Sequence, residues 1–82
     1  MKNQTDIPRL VRELRKRTGL TQEKFAAKLG VTFPTINRWE NGRTKPSPLA
    51  AQRIEELLRS MGDIGADLLK RYLESKNYGV IP

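Results

Sequence analysis

Apolar residues along this chain recur at helical spacing, and each recurrence stops at residues that end helices. Ile7, Leu10, Val11 and Leu14 form an i, i+3, i+4, i+7 stripe. Asp6 stands in the N-cap position before them, Pro8 suits a first turn, and Gly19 is the stop, so a helix is expected over 7–18. Thr21 caps a second helix, about Gln22–Leu29, although Lys24 holds the place where a capping box needs Glu. A third covers about Phe33–Asn41 and ends at Gly42. Ser47-Pro48 reads as N-cap and first position of a fourth, whose Ala50, Ile54, Leu57, Leu58 and Met61 share a face. A fifth is expected from near Asp63 to about Ser75, with Ile64, Leu68, Leu69, Tyr72 and Leu73 as its apolar positions. Residues 77–82, NYGVIP, carry no helical pattern. The pattern thus predicts an all-α chain of five helices with no strand.

The second and third helices hold the densest information. Phe25, Ala26 and Leu29 make one face of the second, and Ile36 and Trp39 make one face of the third. Gly30 between them takes a positive φ at no steric cost, which lets one helix end and the chain turn sharply. Thr32 follows in the N-cap position of the third helix, and Ala26 is small enough for two crossing helices to approach closely. A helix-turn-helix over 22–41 follows, and that motif sets its second helix in the major groove of DNA. At 100° per residue, Phe33, Pro34, Asn37, Arg38 and Asn41 fall on one side of that helix. Thr35, Ile36, Trp39 and Glu40 fall on the other and are expected to pack on the domain. The first set is left for the groove, with Arg38 able to take guanine O6 and N7 bidentately and Asn37 able to pair with adenine. Phe33 and Pro34 open the helix, where base contact is usual, and an aromatic ring there either suits thymine methyls or folds back over the second helix to shield the core.

Charge sharpens this picture. The 82 residues carry a net +7. Residues 1–46 hold eleven Lys/Arg against four Asp/Glu, and residues 47–82 hold five of each, so all the excess lies with the helix-turn-helix. That coincidence points to nucleic acid rather than a membrane surface. Histidine and cysteine are absent. With no phosphate loop and no spaced carboxylate cluster either, no enzyme, metal or cofactor is expected. No apolar run approaches the roughly 18 residues of a membrane span. The opening MKNQTDIPRL has no apolar leader core. A cytoplasmic, nucleoid-associated protein is the expectation.

Residues 20–48, LTQEKFAAKLGVTFPTINRWENGRTKPSP, resemble the Cro/repressor-type (XRE-like) helix-turn-helix regulators in their TQE opening, LGV turn, RWENG close and following KPS. The resemblance covers the first four helices. It implies a compact five-helix domain of the phage-repressor type over 1–76, with 77–82 as a short irregular tail, that binds DNA and regulates transcription. Phosphate contacts are expected from Gln22 at the positive end of the second helix and from Arg43 and Lys45, while Arg9, Arg12 and Lys16 of the first helix read either as further phosphate contacts or as a plain solvated face. The resemblance implies the same role for Gln22, for Asn41 and for the loop after it. It also implies that Arg15 pairs with Glu40 as a structural clamp and still offers a donor to phosphate. Base readout is expected from Phe33, Pro34, Asn37 and Arg38. A polar reader is more usual in the family where Phe33 and Pro34 stand. The family most often acts as a homodimer on a palindromic operator, and a repressor is the expected role. Ile64, Leu68 and Tyr72 step at i, i+4, i+8 toward the core, leaving Leu69 and Leu73 as a strip for self-association. The alternative is an antitoxin of a toxin-antitoxin pair, or a restriction-modification controller, that also binds a partner protein, the neutral C-terminal third with Leu68, Leu69, Tyr72, Leu73 and Val80-Ile81 offering the apolar surface for a toxin.

Overall fold

The first helix forms where the stripe predicts it, and the computed structural model, which describes residues 6–77, shows how each end is held. Helix α1 spans Ile7–Thr18; Asp6 Oδ1 accepts from the Arg9 amide at 3.3 Å, and Gly19 closes the helix in the left-handed region at φ 75°. Helix α2 spans Gln22–Leu29, with the Thr21 hydroxyl accepting from the Lys24 amide at 3.2 Å. Its C-terminus is a Schellman turn. The Val31 amide donates to the Ala26 carbonyl and the Gly30 amide to that of Ala27, which needs Gly30 at its φ of 73°. Helix α3 spans Phe33–Glu40 and closes the same way, Arg43 onto Arg38 and Gly42 onto Trp39. Asn41 is its C-cap rather than its last turn.

The structure departs from the sequence pattern at several ends of helices. Thr32 does not cap α3 with its side chain; its hydroxyl pairs with that of Thr35 at 2.9 Å, and its carbonyl takes the Thr35 and Ile36 amides. Helix α4 spans Pro48–Ser60, capped by Ser47 Oγ, with Met61 just beyond it. The next helix does not start near Asp63: a 3-10 turn covers Gly62–Gly65, and α5 runs Ala66–Asn77. With about 3.0 residues per turn instead of 3.6, the 3-10 segment rotates Ile64 off the face that Leu68 and Tyr72 keep. Ile64 is therefore 63% exposed, while Leu68 and Tyr72 are buried. Asn77 is helical, and the remainder of the expected irregular tail, 78–82, lies outside the described residues.

The core is the sum of the five stripes. Leu10, Val11 and Leu14 of α1 meet Phe25, Ala26 and Leu29 of α2, Ile36 and Trp39 of α3, and Ile54, Leu57 and Leu58 of α4. Leu68 and Tyr72 of α5 complete it, and the Tyr72 hydroxyl donates to the Ala51 carbonyl at 3.1 Å. Leu69 packs partly against this core, and Leu73 is half-buried. Charge fixes the junction of α1 with α5. Arg17 donates through Nη1 to Asp67 Oδ1 at 2.6 Å and to the Ile64 carbonyl at 2.9 Å, through Nη2 to Asp67 Oδ2, and through Nε to Glu13. Those hydrogen bonds from Arg17 lower the Asp67 carboxyl from 3.8 to a pKa of about 2 and raise that of Arg17.

Candidate nucleic-acid interface

Helix α3 is bound to the domain through one side only. Ile36, Trp39 and Glu40 are buried, whereas Phe33, Pro34, Asn37, Arg38 and Asn41 are exposed. Phe33 is 44% exposed, one of three large apolar side chains on the surface among the described residues, with Leu49 and Ile64. Along this outer face the polar groups are already ordered. Asn41 Nδ2 donates to Asn37 Oδ1 at 2.9 Å, which leaves the Asn37 amide N–H groups turned to its other side. Arg38 forms no ion pair among the described residues.

The inner side of α3 ends in a buried carboxylate. Glu40, 6% exposed, accepts from Arg15 Nε at 2.7 Å and from Arg15 Nη2 at 3.1 Å, the two bonds reaching its two oxygens. Gln22 Nε2 donates to the same carboxylate at 3.0 Å. Arg12 Nη1 donates to the Glu40 backbone carbonyl at 3.2 Å. One residue of α3 thus joins α1 twice and α2 once. The hydrogen bond to Glu40 raises the Arg15 pKa further above its ordinary value, so the guanidinium is a permanent charge. Because Gln22 is tied to Glu40, its amide is held beside the positive N-terminal end of α2 and beside Arg15, a cluster suited to an anion.

The structure gathers Arg15, Gln22 and Glu40 into one group and leaves Asn41, Arg43 and Lys45 exposed in and after the turn that closes α3. Two contacts escaped the sequence reading. Arg12 sits three residues before Arg15, and that i, i+3 spacing signals that both face the same neighbour. Arg53 of α4 donates to the Leu29 carbonyl at 3.3 Å and lies where a Gly30 side chain would go. Its sequence position carries no sign of that role. Among the described residues no group of His, Cys, Asp or Glu is placed to hold a metal. Nor is any helix there long and apolar enough to cross a membrane.

Two helices joined by a left-handed glycine, the second held by its inner face and presenting amides and a cation outward, define a helix-turn-helix domain. The helix-turn-helix family profile matches residues 11–61, and the chain belongs to that family. It is 51% identical over 49 residues to an uncharacterized HTH-type transcriptional regulator of Methanothermobacter thermautotrophicus, covering 60% of this chain and 71% of that protein. It is 46% identical over 60 residues to the uncharacterized HTH-type transcriptional regulator YiaG of Escherichia coli K12, covering 73% of this chain and 62% of that one. The chain therefore spans less than two thirds of the Escherichia coli relative. No solved structure matches the chain.

Proposed function

We propose that this protein binds double-stranded DNA in a sequence-specific manner and acts as a transcriptional repressor, with α3 in the major groove. The observation that carries the reading is the division of α3. Its inner residues are buried or bonded to α1 and α2, while Phe33, Pro34, Asn37 and Arg38 lie exposed on the opposite face. Arg38 takes guanine bidentately, Asn37 donates to a base-edge acceptor, and Phe33 and Pro34 meet thymine methyls. Gln22, Arg15, Asn41, Arg43 and Lys45 hold phosphates and set the register. Among these, the exposed Arg43 and Lys45 form no ion pair among the described residues, which leaves them available as counterions.

Two copies meet through α5. Ile64 of the preceding 3-10 turn is exposed and Leu69 and Leu73 of α5 are half-buried, so apolar surface stays outside the core there, and residues 47–82 carry no net charge. That half can therefore approach its own copy while the basic halves stay apart. A two-fold contact there would set two α3 helices about one DNA turn apart, roughly 34 Å, and require a palindromic site.

Selection of bound sequences from random duplex DNA tests the reading. A defined inverted repeat is expected from the parent protein, and loss of preference at one base pair per half-site from Arg38→Ala. Recovery of no common motif, with uniform weak binding, would overturn sequence-specific readout.

A further inference from the structure

Arg9, Arg12 and Lys16 of α1 have no part in the arrangement above beyond the single Arg12 bond. They step at i, i+3 and i+7, and all three are exposed. None forms an ion pair among the described residues, whereas the other two cations of the helix do: Arg15 with Glu40, and Arg17 with Glu13 and Asp67. Helix α1 therefore divides its cations into two that are ion-paired within the fold and three that are not, of which Arg12 alone keeps a hydrogen bond to α3.

Stability does not account for Arg9 and Lys16, and for Arg12 it accounts for one N–H of its fork. Like charges three and four positions apart on a helix repel one another. Arg9 also stands in the first turn, where the helix dipole favours an acid, and α1 has none there. Their place in the fold is specific. The Arg12 bond to the Glu40 carbonyl holds its guanidinium at the end of α3, one residue before the turn that carries Asn41, Arg43 and Lys45. Pro8 lies against Gly42 in that turn, where a side-chain carbon on Gly42 would come 3.5 Å from the proline ring. At 100° per residue, Pro8 and Arg12 mark the edge of α1 that meets the end of α3. Arg9 and Lys16 lie just outside that edge, turned away from Leu10 and Leu14.

We infer that Arg9, Arg12 and Lys16 form a second phosphate-binding row, continuous with the Asn41–Lys45 turn, along which the backbone of the DNA duplex runs. The inference rests on the DNA-binding reading above and extends its footprint onto α1. Arg12 is the anchored member. Its bond to the Glu40 carbonyl fixes the guanidinium plane, and the remaining N–H groups of the fork are available to a phosphate. Arg9 and Lys16 act as point charges on either side. Such contacts neutralise phosphate irrespective of base, so they add affinity and salt dependence but no sequence preference.

The test compares the parent with Arg9→Gln/Lys16→Gln, with Arg12→Gln and with Arg12→Lys. Each binds the duplex recovered by selection and a scrambled duplex of equal length, over a range of salt. Each neutralised phosphate contributes about 0.9 to the slope of log K against log salt. Per bound chain, the double variant should lose about 1.8 from the slope and Arg12→Gln about 0.9, on both duplexes alike, and Arg12→Lys should restore much of the latter. Arg9 and Lys16 are exposed, so the double variant tests the row without disturbing the fold, checked by circular dichroism. Unchanged slopes with intact DNA binding would overturn the row and leave the DNA reading standing. A loss confined to the selected duplex would overturn it too, since the residues would then read bases. If the parent binds neither duplex at low salt, the DNA reading itself fails and takes the row with it.

Discussion

Glu40 is a carboxylate that water scarcely reaches, and its solvation is replaced by three N–H groups from two other helices. Removing one partner from such a pair leaves a buried charge short of donors, which costs about 3–5 kcal/mol. Arg15→Ala should therefore destabilise the domain by that amount in urea unfolding, a large share of the ~5–15 kcal/mol that holds a domain together. A loss below about 1 kcal/mol would show that the pair behaves as an exposed one. On the outer face the argument concerns readout. Arg38→Ala should weaken binding to the preferred site by about 1–3 kcal/mol and relax one base pair. Phe33, exposed where a polar reader is more usual, should lose affinity when thymine in the site is replaced by uracil. Equal affinity for the two duplexes would reduce Phe33 to a neighbour of the core. Both faces of α3 follow from one spacing rule, which is why the outer set and Trp39 were legible in the sequence. The bond of Gln22 to Glu40 was not, because it joins residues on two helices whose crossing angle no local pattern specifies.

At the scale of elements, caps and stripes placed α1 to α4 because each ends at Gly, Ser or Pro, whose local conformational preferences act whatever the tertiary context. The fifth helix starts later than its apolar stripe predicts for the opposite reason. Asp63, Ile64 and Gly65 fit a helical stripe, yet Gly62 at φ 59° breaks the chain after α4. Gly65 then lets the 3-10 turn press on α4, where a side chain would meet the Leu58 carbonyl at 3.1 Å. What holds the start of α5 is instead Arg17 on Asp67. The Asp67 pKa falls from 3.8 to about 2 on folding. A carboxyl whose folded pKa is depressed adds stability above its unfolded pKa and loses it as pH falls through the folded value. Asp67 should thus contribute fully above about pH 4, progressively less toward pH 2, and nothing below. Thermal unfolding followed from pH 5 to pH 2 should fall less steeply in Asp67→Asn than in the parent, and high salt should narrow the difference, because the pair is exposed. Parallel curves would show that the bridge does not hold α5.

For the whole molecule, the decisive feature is that net charge is segregated along the chain. The basic half carries the helix-turn-helix with Phe33 exposed on it, and the neutral half carries the exposed Ile64 of the 3-10 turn and the half-buried Leu69 and Leu73 of α5. A dimer on DNA makes roughly 8–10 phosphate contacts if each chain supplies the turn, the start of α2 and part of α1, so the salt slope should be about −7 to −9. Nearly salt-independent binding would remove the electrostatic basis of the interface. Segregation also predicts how the two halves can be separated. Ile64 is exposed, so Ile64→Lys should leave the fold intact, and Leu73→Lys, at a half-buried position, should cost little more. Together they place two like charges on each copy where α5 meets its mate. Binding to a single half-site should then stay at the parent value, because the groove-facing residues are untouched. Binding to paired half-sites should lose its cooperativity and become the product of two independent events. The comparison of half-site with full-site duplexes isolates the protein–protein contribution, since each chain meets the same DNA in both. If the double variant binds the full site as cooperatively as the parent, the copies meet through another surface, and the apolar positions of α5 serve the monomer alone.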